Sequence, residues 1–220
     1  GSPGPREVSG IPPTVNVRGL THLELFDGPP PPLLAQVVSR DDRGQTTIRA
    51  IKLTEAIQLD GQLDEAVYRT FPAITNFIQQ KPDEGEPATE KTEAWALFDP
   101  EKIYVSARVW DPAPPSAWGA NEMRRDTSQL RENDVFWAIF DTFLDRRNGI
   151  AFYTNPLGAL GDFAFTNEGS PNGDWNPVWD VRTGRFEGGW TVEMEIPFKS
   201  LRYRPGSEQV WGGQLHRRIR

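Results

Sequence analysis

Residues 133–162 read NDVFWAIFDTFLDRRNGIAFYTNPLGALGD, and this stretch predicts the fold. Residues 135–140 are apolar on both alternating faces, as in a strand whose two faces are both covered. Residues 141–149 then form a charged turn, residues 150–154 resume extended character, and the breakers at 155–158 end the second strand. The stretch therefore predicts a hairpin with polar groups gathered on an apolar scaffold. Those groups form either a binding site or a salt-bridged turn.

The rest of the chain continues this pattern of short strands and turns. Extended character recurs at residues 47–53, 92–99, 102–111, 178–196 and 209–220, while residues 64–71 predict a short helix and residues 197–201 a helical turn. Twenty glycines and twenty prolines favour many turns over long helices. Roughly ten strands of this kind predict an all-β, two-sheet antiparallel β-sandwich, jelly-roll-like, with short helical turns.

Composition excludes several classes of function. The formal net charge is −7, from 24 basic and 31 acidic residues, and no lysine-rich run occurs. Nucleic acid is therefore not an expected partner. The chain has no cysteine, which excludes disulfides and thiolate metal sites. No apolar run approaches the ~18 to 20 residues that cross a bilayer.

One pair of acidic residues is a candidate for catalysis. Glu193 and Glu195 lie on the same side of a predicted strand, roughly 6.5 to 7 Å apart by strand geometry, which is near the spacing of glycosidase carboxylates. Such a pair is ordinary on a solvated sheet face, so we expect no enzyme. Neither haem nor a nucleotide is expected as a cofactor.

Two segments are predicted along the chain. Residues 1–33 are rich in proline and glycine and predict a flexible N-terminal arm. Residues 34–220 predict the folded sandwich. The last residues, GGQLHRRIR, stop within an apparent strand, so we expect a piece of a longer protein.

Several motifs together resemble a known family. They are LDGQLDEAVY at 59–68, the aromatic-rich segment 77–99, IYVSARVWD at 103–111, RRD at 124–126, residues 140–162, DWNPVWDV at 174–181, GGWTVEMEIPFKSLRY at 188–203 and WGGQLHRRIR at 211–220. They are similar to the carbohydrate-binding module family 9-like domain that precedes a predicted outer-membrane β-barrel in many bacterial surface proteins. The resemblance runs from about residue 48 to the end.

The resemblance implies a β-sandwich exported to the periplasm or outer-membrane surface, with its own C-terminal barrel as a partner. In family 9 modules two tryptophans sandwich a terminal sugar, polar side chains hold its hydroxyls, and calcium ions brace loops. A fold alone does not carry a function, however.

Sugar sites combine flat aromatic faces with carboxylates, amides and guanidinium groups that bond to hydroxyls. Trp175 is the first candidate, because its loop is rich in Gly, Asn and Pro. Trp118 lies in another proline-containing loop, whereas a tryptophan on a strand more often belongs to the core. The predicted ligand-binding residues are Trp175, Trp179, Trp95, Arg124, Arg125, Asp141, Arg146 and Asn155.

Calcium takes oxygen ligands from loops, and the Asp-rich turns offer Asp60, Asp64 and Asp145 as candidate ligands. None of these turns has the spacing of an EF-hand loop, so the signal for calcium is weak.

The sequence thus predicts a non-catalytic carbohydrate-binding module, with a polysaccharide or oligosaccharide as its partner, in an exported bacterial surface protein. The alternative is a structural domain that docks on its barrel or on another protein, with an arginine–aspartate network as internal bracing. An open aromatic platform beside unpaired polar groups would favour sugar. A filled, salt-bridged face would favour docking.

Overall fold

The computed structural model describes residues 26–167 and 169–220. Most of the predicted arm at 1–33 therefore lies outside the described residues, and the division into an arm and a domain stays a prediction. The part of it that is described runs beside the first hairpin. Thr47 Oγ1 donates to the Pro29 carbonyl at 2.6 Å, and Arg49 Nε donates to the Pro32 carbonyl at 2.5 Å.

Short strands make up most of the described structure. They are β1 (Val38–Arg40), β2 (Thr46–Ile48), β3 (Ile51–Lys52), β4 (Thr92–Phe98), β5 (Lys102–Trp110), β6 (Val135–Asp141), β7 (Gly149–Thr154), β8 (Gly161–Phe165), β9 (Asp180–Phe186), β10 (Gly189–Pro197) and β11 (Gly212–Arg218). Helix is limited to α1 (Val67–Thr70) and single 3₁₀ turns at Pro115–Ala117, Ser128–Glu132 and Phe198–Ser200. No helix within the described ranges has the length and hydropathy needed to cross a membrane.

The strands form two main sheets and a small hairpin. The five-stranded sheet has the order β3-β4-β5-β10-β9, the four-stranded sheet has the order β11-β6-β7-β8, and β1 pairs with β2. All pairings between these strands are antiparallel except that of β3 with β4, which is parallel. The all-β, two-sheet antiparallel prediction is confirmed, and residues 135–141 and 149–154 form the hairpin that their pattern predicted.

The core lies between the inner faces of the two sheets. Alternation along β5 and β10 turns small and branched apolar side chains inward, where they pack against aromatic side chains of β6 and β7. The buried cluster includes Val105, Ala107, Val109, Trp190, Val192, Met194, Phe136, Ala138, Phe140 and Phe152.

The outer face of the five-stranded sheet is also covered, which corrects the prediction of a solvated face. Leu63 and Tyr68, from the segment that contains α1, pack there with Trp95 and Tyr104 as a second buried cluster. Glu193 lies on this face and is only 1% exposed. Thr191 and Glu193, two of the polar side chains that alternate along β10, therefore face the covering segment rather than water.

Gly61 is a point of close contact between the covering segment and the sheet. Its φ is +82°, and a Cβ there would lie 2.7 Å from the Thr183 carbonyl carbon. We expect Gly61→Ala to lower the free energy of unfolding by about 2 kcal/mol or more, because left-handed strain and overpacking each cost about 1–3 kcal/mol. Urea denaturation measures this loss.

Gly44→Ala is the matched control. Gly44 has a φ of +77°, but a Cβ added there would have no atom within 4 Å. It should therefore show only the strain of about 1–2 kcal/mol. Equal losses in the two variants would contradict the close contact at Gly61.

Candidate functional site

An ion pair with a buried carboxylate lies at the edge of the four-stranded sheet. Asp162 in β8 is 1% exposed. Its Oδ2 accepts hydrogen bonds from Arg125 Nη2 at 2.7 Å and from Trp179 Nε1 at 2.9 Å. Its Oδ1 is buried and accepts no hydrogen bond from any described residue. Burial raises the pKa of Asp162 above its ordinary value, and the charge of Asp126 adds to this, while the bonds from Trp179 and Arg125 oppose it.

The turn at 124–126 is fixed to the edge of β8 by its aspartate. The backbone N–H of Asp162 donates to Asp126 Oδ1 at 2.7 Å, and that of Asp126 donates to the Leu160 carbonyl at 3.1 Å. Arg125 Nη2 also donates to the Pro177 carbonyl at 2.8 Å. Arg125 therefore connects this turn, the buried Asp162 and the loop at 171–178.

Trp175 stands on that loop. Its ring packs edge-on against the core side chain Phe152, with a centroid distance of 5.7 Å, and Trp179 packs on the same ring at 5.1 Å. Trp179 is buried, whereas Trp175 is partly exposed. The Trp175 indole N–H is open to solvent and makes no hydrogen bond within the described ranges.

We call this group, Trp175, Phe152, Trp179, Asp162 and Arg125, the tryptophan-loop site. It unites three of the predicted ligand-binding residues. Trp175 and Arg125 can reach a ligand, because Trp175 is partly exposed and the side chain of Arg125 is 35% exposed. Trp179 serves as an anchor below them, since its ring is buried and its N–H is bonded to Asp162.

A polar cleft opens beside the turn at 124–126. Its volume is about 670 Å³, and it is lined by Asn121, Glu122, Arg124, Gln129, Glu132, Asn133 and Arg220. Asn155 lies beneath it and is fully buried, with Nδ2 donating to the Glu122 carbonyl at 2.7 Å and to Asn133 Oδ1 at 2.9 Å. Arg124 thus faces the cleft, while Asn155 supports its floor and is not accessible.

Glu122 and Arg124 form the wall of this cleft. Arg124 donates to the Glu122 carboxylate from Nη2 at 2.8 Å and from Nε at 3.1 Å, and its backbone N–H donates at 2.8 Å. The side-chain bond from Arg124, followed by the backbone bond, lowers the pKa of Glu122 to about 2. Glu122 is therefore ionised at neutral pH, and its charge is matched by Arg124.

Two other predicted residues lie elsewhere. Asp141 is the last residue of β6. Across the sheet, Ala138 of β6 pairs with Phe152 of β7, and Phe152 pairs with Asp162 of β8. Asp141 therefore lies three residues beyond the level of Asp162. Three residues along a strand span about 10 Å and bring the side chain to the opposite face. Asp141 therefore does not lie with Asp162, and the polar groups of the 133–162 stretch do not gather at one place as predicted.

Arg146 shares the end of the sheet where Asp141 lies. Its backbone N–H donates to Asp141 Oδ2 at 2.6 Å, and its guanidinium pairs with the exposed Asp27 at 3.2 Å. These two residues belong to the β6–β7 turn, so they are not part of the tryptophan-loop site or of the polar cleft.

Trp95 and Trp118 are both enclosed. Trp95 is 2% exposed on the outer face of the five-stranded sheet, where its N–H donates to the Phe71 carbonyl at 3.2 Å. Trp118 is buried despite its proline-containing loop, and its N–H donates to the Ala113 carbonyl at 3.0 Å. Neither ring offers a face to a ligand.

The candidate calcium ligands are not brought together. Asp60 Oδ1 accepts from the Gln62 N–H at 2.7 Å, in the segment that covers the five-stranded sheet, and Asp64 lies nearby in the same segment. Asp145 lies in the β6–β7 turn of the other sheet, where Oδ1 accepts from the backbone of Asn148 at 2.8 Å. Within residues 26–167 and 169–220, no three His, Cys, Asp or Glu side chains gather to hold a metal ion. These three aspartates thus do not fit a shared calcium site, and calcium binding stays a prediction.

An aromatic ladder on the outer face of the four-stranded sheet was missed by sequence reasoning. Trp137 stacks on Tyr153 with a centroid distance of 4.0 Å and lies nearly parallel to His216 at 6.4 Å. These rings are cross-strand neighbours in β7, β6 and β11. Because the ring faces cover one another, the ladder is packing rather than a platform for a sugar.

The residues that line the polar cleft around Arg124 were missed as well. Glu122, Gln129 and Asn133 belong to an irregular polar segment, and the available signal was the Thr127 cap of the 3₁₀ turn, whose side chain accepts from Leu130 N at 3.3 Å. That cap predicts where the turn begins but not that polar side chains on both sides of it face one opening.

The chain matches no protein-family model and no curated protein. Among solved structures, a family 9 carbohydrate binding module from Caldicellulosiruptor kristjanssonii in complex with cellotriose is 18% identical, with a TM-score of 0.48 over 76% of this chain and 75% of that chain. A structure of a family 9 module from the same organism with glucose is 18% identical, with a TM-score of 0.48 over 76% of each chain.

A candidate carbohydrate-binding protein from Bacteroides uniformis is 12% identical, with a TM-score of 0.49 over 76% of this chain and 81% of that chain. Likenesses of this size do not assign this chain to a family.

Proposed function

We propose that this chain is a non-catalytic carbohydrate-binding domain in which Trp175 stacks on a sugar ring. One observation carries the proposal: Trp175 is fixed edge-on against Phe152 at 5.7 Å while its indole N–H remains open and unpaired among the described residues. A buried indole N–H usually finds a partner. An ordered tryptophan with one apolar face and one free donor is suited to a ligand that is also part apolar and part polar.

The surroundings of Trp175 fit a saccharide. Arg125 Nη1 makes no hydrogen bond to any described residue, while Nε and Nη2 hold Asp126, Asp162 and Pro177. The guanidinium is therefore positioned before a ligand arrives, which reduces the entropy lost on binding. Exposed Asn176 in the same loop offers both a donor and an acceptor, as sugar hydroxyls require.

The two glutamates considered for catalysis do not form an open pair of carboxylates. Glu195 forms an ion pair with Lys102 at 2.8 Å. Glu193 is enclosed by the covering segment and bonded to Gly61 N at 2.7 Å. Because no substrate reaches Glu193, the pair cannot act on a glycosidic bond as two opposed carboxylates must.

We also propose that the domain works outside the cytoplasm, in the periplasm or at the outer-membrane surface, and precedes a β-barrel in its full-length protein. This proposal rests on the family resemblance of the sequence motifs. The absence of cysteine is compatible with it.

Trp175→Ala tests the binding proposal. After a glycan screen identifies a ligand, calorimetry should show at least ten-fold weaker binding in the variant, which corresponds to about 1.4 kcal/mol, because the stacking ring is lost. The titration is run with calcium and with chelator, and weaker binding in chelator would support a bracing calcium ion.

Trp110→Ala is the control for that titration. Trp110 is also a partly exposed tryptophan, but it lies on the other sheet, with Lys91 over its ring at 4.2 Å. Its removal should leave affinity unchanged. Wild-type affinity in Trp175→Ala would contradict the proposal.

A docking domain is the second candidate function. The observation that favours it is Val178, which is 70% exposed in the same loop as Trp175, since an apolar side chain beside an indole also suits a protein surface. A folded protein that binds no glycan on the screen would favour docking. Val178→Glu should then abolish capture of the partner domain.

A further inference from the structure

We infer that the polar cleft binds the acid group of an acidic saccharide, such as the carboxylate of a uronic acid or the sulfate of a sulfated sugar. This inference rests on the proposed function and names its class of ligand. It follows from the direction in which the hydrogen bonds of the cleft point.

Most acceptors of the cleft are already used. Asn133 Oδ1 accepts three hydrogen bonds, from Asn121 N at 3.0 Å, Glu122 N at 3.2 Å and Asn155 Nδ2 at 2.9 Å. Glu122 Oε1 accepts three more, and Glu122 Oε2 accepts one from Arg124 Nη2 at 2.8 Å. These oxygens have little capacity left for a ligand that donates.

The same network orients the side-chain amides of Asn121 and Gln129. Asn133 Nδ2 donates to Asn121 Oδ1 at 2.9 Å, and Arg124 Nη2 donates to Gln129 Oε1 at 2.9 Å. With their oxygens bound, Asn121 and Gln129 each keep an unused NH₂ group. Those amide nitrogens and Arg124 Nη1 make no hydrogen bond to any described residue.

The cleft therefore presents mainly unpaired donors. An ionised carboxylate or a sulfate is an acceptor-only group, and it forms its strongest hydrogen bonds with charged donors such as a guanidinium. Arg124 suits this role because its side chain is 72% exposed, while its bonds to Glu122 fix its position.

One acceptor in the lining of the cleft distinguishes an acidic sugar from a simple anion. Glu132 Oε2 accepts from Arg218 at 3.3 Å and from Arg220, whereas Oε1 makes no hydrogen bond within the described part of the chain. A free carboxylate oxygen repels a bare anion but accepts from a hydroxyl. A saccharide carries both an acid group for the donors and hydroxyls for Glu132.

The test compares methyl glucuronide with methyl glucoside, which differ only in the acid group, and includes inorganic sulfate as a third ligand. Titrations followed by NMR should show that wild type binds the glucuronide at least ten-fold more tightly than the glucoside. The preference should decrease as salt concentration rises. Sulfate should bind more weakly than the glucuronide.

Arg124→Ala should remove this preference. Arg146→Ala is the matched control, since its side chain is 78% exposed and lies at the other end of the sheet, and it should keep the preference. Because Arg124→Ala also leaves Glu122 without its partner, Gln129→Ala provides a second variant that preserves the Glu122–Arg124 pair, and it should weaken glucuronide binding several-fold.

Equal affinity for glucuronide and glucoside in wild type would overturn the inference. So would sulfate that binds as tightly as the glucuronide, or a preference that survives in both Arg124→Ala and Gln129→Ala. If glycans still bind in a Trp175-dependent manner, only the inference about the acid group fails. If no saccharide binds at all, the proposed function fails with it.

Discussion

Asp162→Ala should lower the free energy of unfolding by about 3 kcal/mol, the lower end of the cost of two lost hydrogen bonds to a charged group at about 1.5–3 kcal/mol each. The change leaves the buried Trp179 N–H without its acceptor at 2.9 Å and removes the bond at 2.7 Å to Arg125. The loss stays at the lower end because Arg125 keeps its contacts with Asp126 and Pro177. Urea denaturation measures it.

Asp180→Ala is the control for this change. Asp180 pairs with Arg182 at 2.5 Å, but both side chains are about half exposed, and exposed pairs contribute only about 0–1 kcal/mol. Equal losses in the two variants would contradict the structural role of Asp162. Asp162→Asn should recover part of the stability, since one amide oxygen can still accept from Trp179.

Glu193→Gln should remove a large pH dependence of stability. Glu193 Oε2 accepts from Gly61 N at 2.7 Å and Oε1 accepts from Tyr68 Oη at 3.1 Å, in a fully buried position. Burial raises the pKa of Glu193 from 4.5 to about 7, and the nearby Glu65 adds to this, while the hydrogen bonds from Gly61, Tyr68 and the Asp60 N–H oppose it.

The direction of the effect follows from proton binding. Between pH 4.5 and 7 the folded state binds more protons than the unfolded state, so stability falls as pH rises through this window. This rise in pKa corresponds to about 3 kcal/mol of stabilisation at low pH, and this stabilisation is fully lost above pH 7. Wild type should therefore lose about 3 kcal/mol more than Glu193→Gln between pH 4 and pH 8.

Glu195→Gln provides the comparison for the pH series. Glu195 lies two residues along the same strand but pairs with Lys102 at 2.8 Å and is partly exposed. Its variant should keep the steep pH dependence of wild type. Parallel curves for wild type and Glu193→Gln would show that Glu193 does not hold its proton in the folded state.

The strands were predictable because their signal is local. Residues 135–140 are apolar on both alternating faces, and this pattern can be recognised without knowledge of the rest of the chain. The burial of Glu193 was not predictable in this way. Its partner Gly61 lies 132 positions away, and a glutamate between Thr191 and Glu195 is typical of a solvated face.

The site was likewise predictable only where its signal is local. The composition of its loop predicted that Trp175 would be exposed, and the structure leaves it partly exposed. Trp118 lies in a similar loop and is buried, because burial depends on what packs against the loop. Arg125 and Asp162 are 37 residues apart in the sequence, and Asp162 and Trp179 are 17 residues apart. Only the folded structure brings these three residues together.

The most direct test of the proposed sugar site is the set of indole N–H signals of the eight tryptophans in an NMR titration with the glycan found by the screen. The Trp175 signal is identified by its absence in Trp175→Phe. We predict that this signal shifts most on addition of the glycan, while the Trp110 and Trp95 signals stay in place. An unchanged Trp175 signal in the presence of a bound glycan would contradict a sugar site at Trp175.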